Sequence, residues 1–128
     1  MLWALYDYLD ADGYNVIKGW TQALGKRERI KLNQKLDMLE NNGPNLPPQL
    51  LAGPVSGHIY KLKVQGNPKL RPLLCKGPLD NNREFTLLLG AFEIQGRLVP
   101  KNALVEATNN RQAIIDNPLR RCKHERIS

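Results

Sequence analysis

Three cationic side chains, spaced along two neighbouring runs, are the residues of this sequence best suited to chemistry. Lys61 and Lys63 stand two positions apart in the run 58–64, and Arg71 follows in the run 69–76 after a Gly-Asn-Pro break. Residues two apart on a strand point to the same face of a sheet, so the spacing predicts that the three cations converge. Such a surface can bind phosphate and stabilise charge that develops on it. A solvated sheet face without a ligand has the same pattern.

A second basic series follows helical spacing. Arg27, Lys31 and Lys35 recur at intervals of four, beside an apolar stripe formed by Leu32, Leu36 and Leu39. Residues four apart lie on one face of a helix. The series is typical of a solvated helix face, and it becomes a candidate for RNA binding if it lies on the same side of the molecule as Lys61.

Charge and composition narrow the class of partner. The chain has 128 residues, which fits one domain, with a formal net charge of +7. A small basic protein usually has an anionic partner, namely nucleic acid, an acidic protein or a membrane surface. The two cysteines and two histidines lack zinc spacing, so we expect no zinc site. One disulfide is possible, but two free thiols in a reducing cytoplasm are the default. No apolar run approaches the roughly 20 residues of a membrane span, and the first ten residues lack the features of a signal peptide.

The hydrophobic pattern predicts an α+β fold. The expected order is strand, helix, helix, three strands and helix, with the helices on one face of a small, mainly antiparallel sheet. Asn15 is the predicted N-cap of the first helix, and Pro100 is the predicted first position of the last. The predicted strands cover 2–9, 58–64, 69–76 and 84–93; the helices cover 15–25, 26–41 and about 100–116; and residues 44–57 form an ordered loop or an extended passage. Residues 117–128 are a basic tail that is a helix, a mobile arm or a partner-binding segment.

The stretches 56–63, 69–71 and 87–100 carry further sequence features. In their order and spacing they resemble the RelE/HigB toxin superfamily and, within it, the phage-derived HigB-like branch. The run from Ser56 to Lys63 resembles the branch's Gly-x-x-Tyr-x-Leu-Arg signature, and Arg71 matches the arginine of its next strand. Residues 87–92, followed by Pro100, resemble its last strand and final helix start. The resemblance covers about residues 3–117. It therefore implies a RelE/HigB-like domain at 1–117 and a basic C-terminal tail at 118–128.

The resemblance implies a small cytoplasmic ribonuclease that cleaves messenger RNA on the ribosome and is restrained by a cognate antitoxin, of the helix-turn-helix type. Its chemistry is attack of a ribose 2′-hydroxyl on the adjacent phosphate, which needs a base, an acid and cations but no metal or cofactor. By position, Lys63 and Arg71 would stabilise the phosphate, with Lys61 and Arg97 assisting. The expected RNA-binding residues are Arg27, Lys31, Lys35 and Lys76.

The loop after Phe92 departs from the family pattern. Ile94, Gln95 and Leu98 occupy positions where the branch usually carries lysine, and Arg97 is the one basic residue there. This loss favours a second reading, a catalytically impaired phage or plasmid protein that binds RNA or protein. A third reading is a structural phage protein whose basic tail is an interaction arm.

Four further residues are expected to have a structural role or no catalytic role. We expect His58 at the strand entrance to be structural, Tyr60 to belong to the core and Cys75 to be a buried small hydrophobe. His124 could supply a proton near neutral pH, but in a tail we expect it to be exposed.

Overall fold

A six-stranded mixed sheet organises the computed structural model, which describes residues 2–128. The strands and helices, in chain order, are β1 (Ala4–Tyr8), α1 (Val16–Ala23), α2 (Lys26–Asn42), β2 (Leu51–Ser56), β3 (Ile59–Leu62), β4 (Lys69–Leu70), β5 (Leu73–Lys76), β6 (Glu84–Leu89), β7 (Phe92–Ile94), β8 (Arg97–Val99), α3 (Ala103–Asp116) and β9 (Arg121–Lys123). The large sheet has the order β2-β3-β5-β6-β1-β9, and a small sheet has the order β4-β7-β8. The predicted α+β class is confirmed.

The large sheet is antiparallel at every pairing except one. β1 pairs parallel with β6, with Ala4 opposite Glu84, and the remaining neighbours run antiparallel. β6 lies between β5 and β1, as its continuous apolar run predicts for a central strand. The sheet is therefore mixed rather than purely antiparallel.

Helices cover both faces of this sheet. Leucines of α2 and Ile17 of α1 pack with Leu62 and Phe85 on one face. On the other face, Ala107 and Ile114 of α3 pack with Ile59 and Leu88. The prediction that all helices lie on one face is therefore wrong. Consecutive strand residues are apolar, so both faces must be covered to remove them from water.

Two of the predicted strands are interrupted. The predicted strand 69–76 breaks at Arg71-Pro72 into β4 and β5, and the predicted strand 84–93 breaks at Gly90-Ala91 into β6 and β7. At the first break, Pro72 has no backbone N–H to donate to a neighbouring strand. At the second break, the Trp20 ring lies so close to Gly90 that an added Cβ would come within 2.0 Å of it. At both breaks the chain passes between the large and the small sheet.

The ends of the elements mostly follow local chemistry. Asn15 caps α1, as predicted, with its side-chain oxygen accepting the backbone N–H of Lys18 at 2.9 Å. Gln95 and Gly96 both have positive φ and form the two-residue turn between β7 and β8. The last helix begins at Ala103 instead of Pro100, and Asn102, its N-cap, makes no side-chain capping bond.

The C-terminal segment is a part of the sheet. Within the predicted tail 118–128, Arg121–Lys123 form β9 antiparallel to β1, so this segment contains a strand rather than a helix. Arg126 then forms ion pairs with Asp37 and Glu40 of α2. In the region 44–57, the extended alternative is confirmed for β2. None of the helices among residues 2–128 combines the length and apolar character needed to cross a membrane.

Candidate functional site

Two of the predicted cations meet at one carboxylate. Nζ of Lys61 lies 3.6 Å from Oε1 of Glu93, and Nε of Arg71 lies 3.3 Å from the same oxygen. The three residues come from β3, the crossing between β4 and β5, and β7. Their side chains are 23%, 6% and 20% exposed, in the order Lys61, Arg71, Glu93. This arrangement holds one anionic oxygen between two cations.

The protein backbone fixes the position of Arg71. Its Nη1 donates to the carbonyl of Leu70 at 2.8 Å and to that of Val64 at 3.3 Å. Its own N–H donates to the carbonyl of Ala91 at 2.9 Å. These bonds hold Nη1 and the backbone of Arg71 at the point where the two sheets meet, and Nε faces Glu93. Arg71 is thus a rigid, largely buried donor.

Glu93 is a residue that the sequence reasoning missed. Burial opposes its ionisation, but the charges and hydrogen bonds of Arg71 and Lys61 outweigh burial, so the pKa of Glu93 lies below the usual value of 4.5. It stays a carboxylate at neutral pH and neutralises part of the cationic surface. An acid directly after the apolar run of β6 and Phe92 was the available signal, because an acid at such a place needs a cationic partner.

The remaining predicted residues occupy other surfaces. α2 packs on the face of Leu62, whereas Lys61 points to the opposite face, so the structure does not bring the basic series of α2 to Glu93. Lys63 is half-buried, and alternation places it on the side of Lys61. Arg97 is exposed, and alternation places it on the face of the β7–β8 hairpin opposite Glu93.

The basic series of α2 lies along an open groove. Arg27 and Lys31 line a depression of about 510 Å³ together with Lys26, Ile30 and Gln34. Lys35 lies one turn further on, with its Nζ 3.9 Å from the sulfur of Met38. These residues stay predicted RNA-binding candidates on a surface separate from Lys61.

A polar cleft lies on the other side of β3. It has a volume of about 270 Å³, and Lys76 is one of its walls, with Nζ 5.8 Å from the centre of the Tyr60 ring. The complete lining is Pro54, His58, Tyr60, Lys76, Asn81 and Asn82. Tyr60 is half-buried, in contact with the core but open to this cleft, and His58 is exposed. Tyr60 therefore packs against the core, as expected, and is also a wall of the cleft, whereas the structural role expected for His58 stays a prediction.

The side chain of His124 is buried, contrary to the expectation of an exposed tail residue. Its Nδ1 lies 2.8 Å from Oδ1 of Asp7, and the two side chains are 3% and 2% exposed. Asn15 donates to the second oxygen of Asp7 at 3.0 Å and contacts the sulfur of Cys122 at 3.4 Å. Pairing of β9 with β1 carries His124 to this position. The pair joins the C-terminal segment to the sheet.

The thiol of Cys75 behaves as predicted for a small hydrophobe. Cys75 is fully buried beside α3, and burial raises its pKa to about 12 although Arg111 opposes the shift. Burial also raises the pKa of Cys122, with a further contribution from the charge of Asp7. Both shifts reduce the thiolate fraction near neutral pH, and the reduction is largest for the fully buried Cys75.

Comparison of the chain with protein-family models, curated proteins and solved structures finds no match. The resemblance to the RelE/HigB superfamily therefore stays a prediction. Among residues 2–128, no group of three or more His, Cys, Asp or Glu side chains is placed to hold a metal ion.

Proposed function

We propose that this protein is the toxin of a toxin–antitoxin system, a ribosome-dependent mRNA endonuclease. The observation that supports it best is the convergence of Lys61 and Arg71 on a single anionic oxygen of Glu93. A non-bridging phosphate oxygen carries similar charge and can occupy the same position. The chain begins with the predicted strand and two helices and has the predicted last helix, α3, although seven strands lie between α2 and α3 where three were predicted.

In the proposed reaction, a ribose 2′-hydroxyl of the message attacks the adjacent phosphorus. A water molecule accepts the proton of the hydroxyl, the bond from phosphorus to the 5′-oxygen breaks, and that oxygen takes a proton from water, leaving a 2′,3′-cyclic phosphate and a free 5′-hydroxyl. Negative charge grows on the phosphate oxygens during attack. Arg71 and Lys61, with Lys63 on the same side of β3, stabilise this charge once the RNA displaces Glu93.

A second candidate function is a non-catalytic RNA-binding relative. The specific observation in its favour is Glu93 itself, whose single negative charge already offsets part of the charge of the two converging cations. The loss of lysine at Ile94, Gln95 and Leu98 points the same way. Such a protein would bind RNA in a salt-dependent manner without cleaving it.

Expression of the chain in growing bacteria tests the choice. The toxin proposal predicts growth arrest and cleavage of translated messages, relieved by co-expression of a cognate helix-turn-helix antitoxin. A Lys61→Ala/Lys63→Ala variant should lose cleavage while keeping its thermal unfolding midpoint near that of the wild type. Lys101→Ala, which alters an exposed lysine beyond β8, is the matched control. Wild-type protein that leaves growth and messages unchanged would refute the toxin proposal.

A further inference from the structure

We propose that the polar cleft between the β2–β3 hairpin and the β5–β6 turn is a subsite for one nucleotide of single-stranded RNA. The inference rests on the proposed function, because it names a second place where the same protein holds its RNA. The cleft is formed by Pro54, His58, Tyr60, Lys76, Asn81 and Asn82.

An unneutralised cation beside an aromatic ring is the central feature of the cleft. Tyr60 lies opposite Leu74 in the β3–β5 pairing, and Lys76 stands two positions further along on the same face. Among residues 2–128, Lys76 forms no ion pair with a carboxylate, in contrast to Lys61. A base stacked near the ring would bring its phosphate within reach of the ammonium group. Ring and cation together are the elements with which proteins hold single-stranded nucleic acid.

Groups that can read a base complete the lining. Asn81 and Asn82 present side-chain amides from the β5–β6 turn, each with donors and an acceptor. His58 is exposed in the turn that precedes β3, where its ring can hydrogen-bond a ribose or a phosphate. The nearby carboxylate of Asp80 accepts the backbone N–H of Asn82 at 3.1 Å and is not part of the lining. These groups suit the polar edge of a nucleotide.

Size and position restrict the ligand. The volume of about 270 Å³ lies just below the range of about 300–1,000 Å³ that is usual for sites of drug-sized molecules, which suits a single nucleotide. Tyr60 and Lys61 are successive residues of β3 and point to opposite faces. The subsite is therefore separate from the Lys61–Arg71 cluster, and each can be disabled without the other. The net charge of +7 favours a polyanion over an isolated nucleotide.

Fluorescence anisotropy with an end-labelled uridylate hexamer tests the subsite, with the full chain at low salt. We expect Lys76→Gln to weaken binding about ten-fold and to reduce the slope of log affinity against log salt by about 0.7. Lys101 is an exposed lysine outside the cleft, so Lys101→Gln should change the affinity for the hexamer less than two-fold. Equal effects of the two substitutions, or none from Lys76→Gln, would overturn the proposal.

Paired substitutions at Tyr60 separate stacking from folding. Tyr60→Phe keeps the ring and should bind the hexamer within about two-fold of wild type, whereas Tyr60→Leu should lose about ten-fold. Circular dichroism and thermal unfolding identify any loss that arises from misfolding. If the folded Tyr60→Leu variant binds as tightly as Tyr60→Phe, the ring has no role and the subsite is refuted.

Two competitors identify the source of the nucleotide. Uridine monophosphate and inorganic phosphate should displace the labelled hexamer only at concentrations at least 100-fold above that of unlabelled hexamer. Displacement by the mononucleotide at a similar concentration would assign the cleft to a free nucleotide and overturn the RNA assignment. RNA binding that depends on Lys76, in a protein that leaves messages intact in cells, would refute the toxin proposal while the subsite stands.

Discussion

Replacing Glu93 with glutamine should destabilise the protein at neutral pH and lose its effect in acid. The substitution keeps the shape of the side chain but removes the charge that holds Lys61 and Arg71. Arg71 is the more sensitive partner because its side chain is 6% exposed, whereas that of Lys61 is 23% exposed. The two carbonyls that Arg71 also contacts remain in place.

The expected magnitude follows from these contacts. A hydrogen bond to a charged group contributes about 1.5–3 kcal/mol, and a more exposed pair such as Lys61–Glu93 adds about 0–1 kcal/mol. Glutamine retains an amide oxygen that can still accept a hydrogen bond from Arg71, so a part of this free energy is kept. We therefore expect the free energy of unfolding to fall by about 2 kcal/mol at pH 7. For a chain of this length the unfolding midpoint would fall by roughly 6–10 °C.

The pH dependence distinguishes a lost charge from a packing defect. Folding lowers the pKa of Glu93 below 4.5, its value in the unfolded chain. The charge of Glu93 therefore stabilises the folded protein fully above pH 4.5, and this stabilisation is lost as the pH falls through the pKa of the folded state. Urea unfolding of wild type and Glu93→Gln should give curves that are separated at pH 7 and converge below pH 4.5. Equal stability at pH 7, or an undiminished difference at pH 3, would refute the account of this cluster.

Three other substitutions or reactions test the core. Leu36→Ala, at a fully buried position of α2, should lower the free energy of unfolding by about 2–5 kcal/mol in urea titrations, and a loss below 1 kcal/mol would contradict the packing described. Gly90→Ala should cost about 1–3 kcal/mol because its Cβ would meet the Trp20 ring at 2.0 Å, and unchanged tryptophan fluorescence and stability would rule out that close approach. In a Cys122→Ser variant, iodoacetamide should not modify Cys75 at pH 8 until urea unfolds the chain, since a pKa of about 12 leaves roughly one thiol in 10,000 ionised. Labelling of the folded variant within minutes would show that this thiol is accessible.

Local sequence signals identified most of the elements, and long-range pairing determined the rest. The alternation of residues 2–9, the stripe of leucines in α2 and the apolar run of β6 each predict one element correctly. The small sheet was not predicted because its strands have only two or three residues, too few to show the alternation of a strand. β9 was not predicted because its polar and basic residues have the same composition as a disordered C-terminal tail. The consecutive apolar residues of β5 and β6 did indicate that helices cover both faces of the sheet.

The candidate site was predictable only in part. The period of β3 correctly separates Lys61 from Tyr60, and Arg71 does lie near Lys61, although it stands at the break between β4 and β5 rather than on a strand. The position of Glu93 after an apolar run indicates that it needs a cationic partner, but the partners themselves were not predictable, because Glu93 reaches them through the pairing of β7 with β4 across more than 20 residues. Burial of His124 likewise depends on a pairing of distant strands. Such contacts are properties of the topology, and no local pattern encodes them.

The position of β1 has a consequence for how the chain is made. Its two partners follow far along the sequence, since Ala4 pairs with Glu84 and Tyr6 with Lys123. At about 5–20 residues per second, β6 leaves the ribosome roughly 4–16 s after β1. During that interval an aromatic strand has no partner for its backbone, and pairings between distant residues also form slowly. The nascent chain is therefore most exposed to aggregation through its first strand, and a chaperone or a partner that covers this strand would increase the yield of folded protein.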